Sequence, residues 1–202
     1  MALPRITSRQ MTEAEYLEFE KHATDRHEYY KGEIFALAGG ARNHNVIAGN
    51  VTRELGNRLP KHCIAVQSDM RVWVDAADFY TYPDVVAVCG EEQYRDEAQT
   101  TLTNPDLIVE VLSESTEAYD RGDKFEFYRT IPSLDEVVFV TQVRKHVEVF
   151  RRRGDHWALY EVTGDTVRLD SVGVSLAMEA IYERVVWESD QEDGSREPAE
   201  DA

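Results

Sequence analysis

The amino-acid sequence predicts an α/β (α+β) protein with a mixed central sheet, two or three flanking helices and an antiparallel C-terminal strand meander. Three observations carry that prediction. The runs Val85–Cys89 and Leu107–Leu112 are apolar almost without interruption, the pattern of strands buried on both faces. Ile47, Val51, Leu55 and Leu59 recur every fourth residue, which is a helical core stripe. Beyond residue 136, β-rich runs alternate with the turn signals Arg153-Gly154-Asp155 and Thr163-Gly164-Asp165.

Taken in chain order, Thr12 followed by Glu15 forms a capping-box pattern and opens a short helix reaching His22. Residues 27–38 hold two β-rich runs around Lys31-Gly32, which predicts a hairpin. Asn43 is placed to cap the helix that carries the four-residue stripe, and Pro60 ends it. Strands are predicted over 64–67, 70–74, 84–89 and, after the Asn104-Pro105 break, 107–112. Residues 113–119 read as a loop, with Asp120 capping a helix that runs to Thr130 ahead of Pro132. Strands at 136–142, 146–152, 157–162 and 166–169 make the meander, and the amphipathic stretch 176–186 predicts a last helix.

Composition bounds the rest. At roughly 150 residues per domain, a chain of 202 residues is one domain with a sizeable core. With 42% hydrophobic and 10% aromatic residues it is no disordered chain, and its apolar runs are far shorter than the ~18 residues a membrane helix needs. The formal charge is −17. Residues 188–202 contain seven acids and one base without a large apolar side chain, which predicts a disordered acidic tail after a domain spanning 1–187. That domain still has 32 acids against 21 bases, so a nucleic-acid backbone would be repelled unless cations gather locally. No secretory segment is read at the start, and Cys63 and Cys89 are too few for a disulfide framework. A cytoplasmic location is the expectation.

Most familiar catalytic signatures are missing: no glycine-rich phosphate loop, no His-Glu-x-x-His, no Gly-x-Ser-x-Gly and no Cys-x-x-Cys. What stands out is polar groups where strands should be apolar. Glu110 interrupts Leu107–Leu112, and a carboxylate buried there without a partner costs several kcal/mol, so it needs a cation, a metal or an open strand end. Asp84 follows Pro83 at the mouth of the preceding run; a turn residue is its ordinary reading. Lys124 lies four residues after Asp120, near the positive end of a predicted helix dipole where a cation gains nothing locally; a surface pair with Asp120 is the alternative. Two carboxylates from adjacent strands with one lysine suit Mg²⁺ or Mn²⁺ and phosphodiester hydrolysis.

These residues carry a family resemblance. Pro83-Asp84 followed by Glu110 resembles the core of the PD-(D/E)XK nuclease superfamily. Glu110-Val-Leu-Ser113, Ser115-Thr116, Tyr119-Asp120-Arg121, Lys124 and Tyr128-Arg-Thr-Ile-Pro132 are more closely similar to the Uma-type restriction endonuclease family of bacteria. The likeness extends upstream to residues 28–34, 44–47 and Ser68-Asp69, and covers roughly residues 10–185. It implies a restriction endonuclease-like fold, a DNA substrate, Mg²⁺ or Mn²⁺ held by Asp84, Glu110 and the Val111 carbonyl, and Lys124 as the charge-stabilising or water-orienting partner. Glu28 would add an outer acid, and His44 would contact phosphate or orient water. A homodimer is expected by analogy, since a duplex has two strands to cut.

One position departs from the superfamily pattern: two residues after Glu110 stands Leu112, not lysine. In Uma-type chains the lysine has moved to the following helix, a place Lys124 would take. Without the family, Glu28 reads as a surface acid of the hairpin and His44 as a helix-start polar residue. Arg144, Lys145 and Arg151-Arg152-Arg153 form either a basic rim for substrate or a solvated strand face, and His62, His146 and His156 show no ligand-like spacing. Trp73, Trp157 and Trp187 read as packing residues. The rival to a nuclease is a catalytically silent domain of the same fold that binds proteins, and action on another phosphate ester such as RNA is a third reading.

Overall fold

The two apolar runs lie side by side at the centre of the molecule. In the computed structural model, which describes residues 10–37 and 39–187, the elements are α1 (Glu13–His22), β1 (His27–Tyr30), β2 (Glu33–Ala36), α2 (Arg42–Arg58), β3 (Cys63–Gln67), β4 (Arg71–Val74), β5 (Phe79–Thr81), β6 (Val85–Cys89), β7 (Thr101–Leu102), β8 (Leu107–Leu112), α3 (Glu117–Tyr119), α4 (Phe125–Tyr128), β9 (Glu136–Thr141), β10 (Val147–Arg153), β11 (His156–Glu161), β12 (Thr166–Leu169), β13 (Val174–Ala177) and α5 (Met178–Ile181). A six-stranded sheet has the order β11-β10-β9-β8-β6-β3, and a five-stranded sheet the order β2-β1-β5-β4-β7. The larger sheet is mixed: β8 and β9 run parallel while its other neighbours are antiparallel.

Alternation along the central strands builds two cores. Val85 and Ala87 of β6, with Leu107, Val109 and Val111 of β8, pack against Ile47, Val51 and Leu55 of α2 and against β12, β13 and α5. Val86, Val88, Ile108 and Leu112 face the other way, onto Val72, Val74 and Phe79 of the five-stranded sheet and onto Phe125 and Tyr128 of α4. Each such fully buried Val or Leu contributes about 1.5–3 kcal/mol. Glu110 is therefore the polar interruption of an otherwise apolar face.

Local signals explain the first elements. Thr12 and Glu15 cap α1 reciprocally, with Thr12 N–H donating to Glu15 Oε2 at 2.8 Å and Glu15 N–H to Thr12 Oγ1 at 3.3 Å. Lys31 and Gly32 both have positive φ, 46° and 93°, the geometry of a tight hairpin turn with the right twist for β1 and β2.

Several expectations need correction. Ala41, not Asn43, is the N-cap of α2, and Asn43 instead donates its amide to the Val186 carbonyl at 2.7 Å. Asp120 is not an N-cap: a helical turn has already begun at Glu117 and Asp120 closes it, and the segment Asp120–Lys124 bends at Gly122, whose φ/ψ of −97°/−109° is not helical. The fourth meander strand, β12, leaves the sheet to pair with β13, so residues 174–177 are strand and only Met178–Ile181 is helical. Glu28, which reads as a surface acid of the hairpin, is fully buried. Cys63 and Cys89, opposite one another in the β3–β6 ladder, are joined by a disulfide. The predicted acidic tail, 188–202, lies outside the described residues. No described helix is long and apolar enough to cross a membrane.

Candidate functional site

Strand register brings the two acids together. Val85 pairs with Val109 in the antiparallel β6–β8 ladder, so one step further Asp84 stands opposite Glu110. Pro83 sets Asp84 at the strand mouth, where Asp84 Oδ2 accepts the Val111 N–H at 2.7 Å and lies 3.2 Å from His44 Nε2 in the first turns of α2. His44 Nδ1 is buried and has no hydrogen-bond partner among the described residues. Gly40 lies against that ring: a Cβ there would sit 2.5 Å from Nδ1.

Behind this pair is an ionic cluster centred on Lys124. Its Nζ is 2.9 Å from Glu110 Oε1, 3.4 Å from Glu28 Oε1 and 3.5 Å from Asp120 Oδ1, with the lysine side chain only 5% exposed. Tyr128 donates its hydroxyl to Glu110 Oε1 at 2.5 Å. Thr81 and Tyr119 donate theirs to the two oxygens of Glu28, at 2.5 and 2.7 Å. Burial of charge at this depth is tolerated only because each carboxylate has such partners.

Of the residues that the sequence suggests for a site, Asp84, Glu110, Lys124, His44 and Val111 line one cleft of about 340 Å³, together with Asp120, Tyr119, Arg26, Asp69 and Tyr82, and Glu28 does not. Glu28 lies directly behind its wall, on Lys124. Sequence reasoning missed Asp120 as a member of the cluster. Asp120, Lys124 and Tyr128 are spaced four apart, a one-face pattern that was available as a signal.

The electrostatics reflect an excess of acid. Burial, reinforced by the charges of Asp84 and Asp120 and opposed by Lys124 and the Tyr128 hydrogen bond, pushes Glu110 up to about 8. Burial pulls the Lys124 ammonium down, but Glu110, Tyr128, Glu28 and Asp120 outweigh it and hold the lysine well above its ordinary value. His44 is likewise raised: burial opposes, and the Asp84 hydrogen bond and charge prevail, with help from Glu110 and Asp120. Four carboxylates thus surround one ammonium and one imidazole, and hard oxygen donors in that excess fit a divalent cation such as Mg²⁺ or Mn²⁺.

The arginines of β10 do not form a free basic rim. Arg151 is bound to Glu136 at 2.6 Å, Arg152 donates to the carbonyls of Leu134, Ile131 and Arg129, and Arg153 lies 3.7 Å from Asp170. Trp73 is buried, and Arg152 stacks over Trp157 at 4.7 Å, in keeping with packing roles.

Comparison with known proteins agrees with this architecture. "Uncharacterized protein sll1609" of Synechocystis sp. is 40% identical over 169 residues, covering 81% of this chain and 94% of that protein. "Uncharacterized protein slr1290" of the same organism is 37% identical over 172 residues, covering 83% and 89%. A crystal structure described as a "putative nuclease belonging to DUF820" from Anabaena variabilis superposes with a TM-score of 0.70 at 16% identity, covering 87% of this chain and 99% of that one, a likeness of fold. The family model Uma2, described as "Putative restriction endonuclease", matches residues 13–179, and the chain belongs to that family.

Proposed function

We propose that this protein is a metal-dependent DNA endonuclease that hydrolyses phosphodiester bonds. The observation that supports it most is the meeting of Asp84 and Glu110 at a strand mouth with the Lys124 ammonium 2.9 Å from Glu110. Asp84, Glu110 and the Val111 carbonyl would hold Mg²⁺ or Mn²⁺, which when bound supplies a Lewis acid for a phosphoryl oxygen and lowers the pKa of its water.

The chain's own groups have separable tasks. Lys124, fixed by three carboxylates, holds a permanent positive charge beside Glu110 to orient water or offset charge developing on the phosphoryl oxygens. Glu28, immobilised by Thr81 and Tyr119, positions that ammonium. His44 orients Asp84 through Nε2, on the same carboxylate oxygen that takes the Val111 N–H. A homodimer, placing one site at each strand of a duplex, completes the proposal.

The test is Mn²⁺ affinity together with plasmid nicking for the wild type, Glu110→Ala and Lys124→Ala. Glu110→Ala is expected to lose both, and Lys124→Ala to lose nicking while still binding Mn²⁺. A wild type that neither binds Mn²⁺ nor nicks sinks the proposal. That outcome would favour a silent nuclease-fold domain that binds proteins, a reading to which the internal pairing of Arg151, Arg152 and Arg153 on an acidic body lends weight. Sedimentation velocity of the protein alone and with duplex DNA tests the dimer.

A further inference from the structure

We propose that Cys63, Cys89 and His62 form a second metal site, selective for a soft d¹⁰ ion such as Zn²⁺, that becomes available when the Cys63–Cys89 disulfide is reduced. It is independent of the acidic cluster. One ligand atom from each of the three residues lies within 4.8 Å of the others, a spacing that two thiolates and an imidazole can close around one ion.

Backbone geometry presets the donors. Cys63 and Cys89 are direct partners in the β3–β6 ladder, with Cα atoms 4.0 Å apart. Zn–S bonds of about 2.3 Å in tetrahedral geometry need the sulfurs ~3.8 Å apart, a separation that rotation of the side chains reaches without moving the strands. The Gly90 N–H donates to the His62 carbonyl at 2.8 Å, Cys63 N–H to Pro60 at 2.9 Å, and Cys89 N–H to Asp106 Oδ2 at 2.7 Å, so all three residues are tied to one another or to fixed neighbours. Gly90 takes a φ of 101°, which turns the chain immediately after Cys89.

Access is also built in. β3 is the outer strand of its sheet and His62 is exposed, leaving room for a fourth ligand from water. Cys89 is the last residue of β6 and Asp84 immediately precedes its first, so about 17 Å of extended chain separates the two sites. A thiolate pair with imidazole selects Zn²⁺, whereas the carboxylates at the other end select Mg²⁺ or Mn²⁺. Opening the site is a balanced step: a phosphine reductant breaks the S–S bond, the sulfurs leave as two thiols with protons from water, and the phosphine becomes its oxide. Binding then releases the two thiol protons.

The experiment compares oxidised and phosphine-reduced full-length protein, titrated with Co²⁺ as a spectroscopic stand-in and with Zn²⁺ against a chromogenic chelator. The reduced wild type is expected to develop a near-ultraviolet thiolate-to-cobalt charge-transfer band that saturates at one thiolate-bound equivalent and that Zn²⁺ abolishes, and the oxidised protein to show no band. Glu110→Ala should retain the band, which separates this site from the acidic one. Cys89→Ser should lose it, and His62→Ala, whose exposed side chain can be removed without disturbing the fold, should keep it with affinity lowered roughly tenfold. Absence of the band in the reduced wild type, its survival in Cys89→Ser, or unchanged affinity in His62→Ala overturns the proposal.

Discussion

Replacing Lys124 by Met removes the only ammonium from a cluster that holds Glu110, Glu28 and Asp120 within 2.9–3.5 Å of it. Met is unbranched and only one atom shorter, so the change is chiefly one of charge. Breaking a buried ion pair costs about 3–5 kcal/mol because the partner is left uncompensated. Glu110, already raised by burial, recovers part of that by keeping a proton, which places the loss toward the lower end, about 3 kcal/mol. Glu110→Gln is milder, about 1–2 kcal/mol, because Lys124 keeps Glu28 and Asp120. The double variant should then be more stable than the sum of the single losses predicts by about 1–3 kcal/mol, the signature of two groups in direct contact. Urea unfolding at pH 7.5 with a chelator present measures all four proteins. Additive losses, or a Lys124→Met cost below about 1 kcal/mol, would refute the idea that this lysine is held for its charge.

Three further outcomes follow from the site. Because the folded Glu110 binds a proton that the unfolded chain releases near 4.5, metal-free stability falls as pH climbs from there toward about 8; His44, raised in the fold, loses its contribution in the same direction above its ordinary range. The melting temperature of chelator-treated protein should drop between pH 5.5 and 7.5 by several degrees, and Glu110→Gln should flatten the slope; a flat wild-type profile contradicts it. Gly40→Ala would force the His44 ring off Asp84, so nicking should fall while the melting temperature moves by no more than a few degrees. Glu28→Gln keeps the shape but loses the charge on Lys124, and should lower the turnover of nicking more than Mn²⁺ affinity, read by kinetics and titration side by side.

How much of this was legible depends on the range of the interactions involved. The α1 cap and the β1–β2 hairpin are written in contacts between near neighbours, Thr12 with Glu15 and Lys31 with Gly32, and sequence alone locates them. β6 and β8 announce themselves through continuous apolar runs. β5 and β7, of three and two residues, are too short to carry a period, and Phe79 reads as strand only because β1 and β4 flank it. The helix expected over 176–186 is cut short because Val174 and Leu176 point inward while Ser175 and Ala177 point out, one short strand before the single turn of α5. Asp120 could be read as a cap until the chain was seen to be helical before it.

The family resemblance, like the chemistry expected of Asp84, Glu110 and Lys124, rested on residue types in an order along the chain, and a sequence contains that information in full. It contains no distances between strands. That Asp84 lies opposite Glu110, that Glu28 is buried against Lys124, that Arg151 is absorbed by Glu136 and that Cys63 meets Cys89 are all consequences of register. Register is decided when both faces of a sheet must bury their apolar side chains at once, and a slip of one residue would turn every one of these groups the other way.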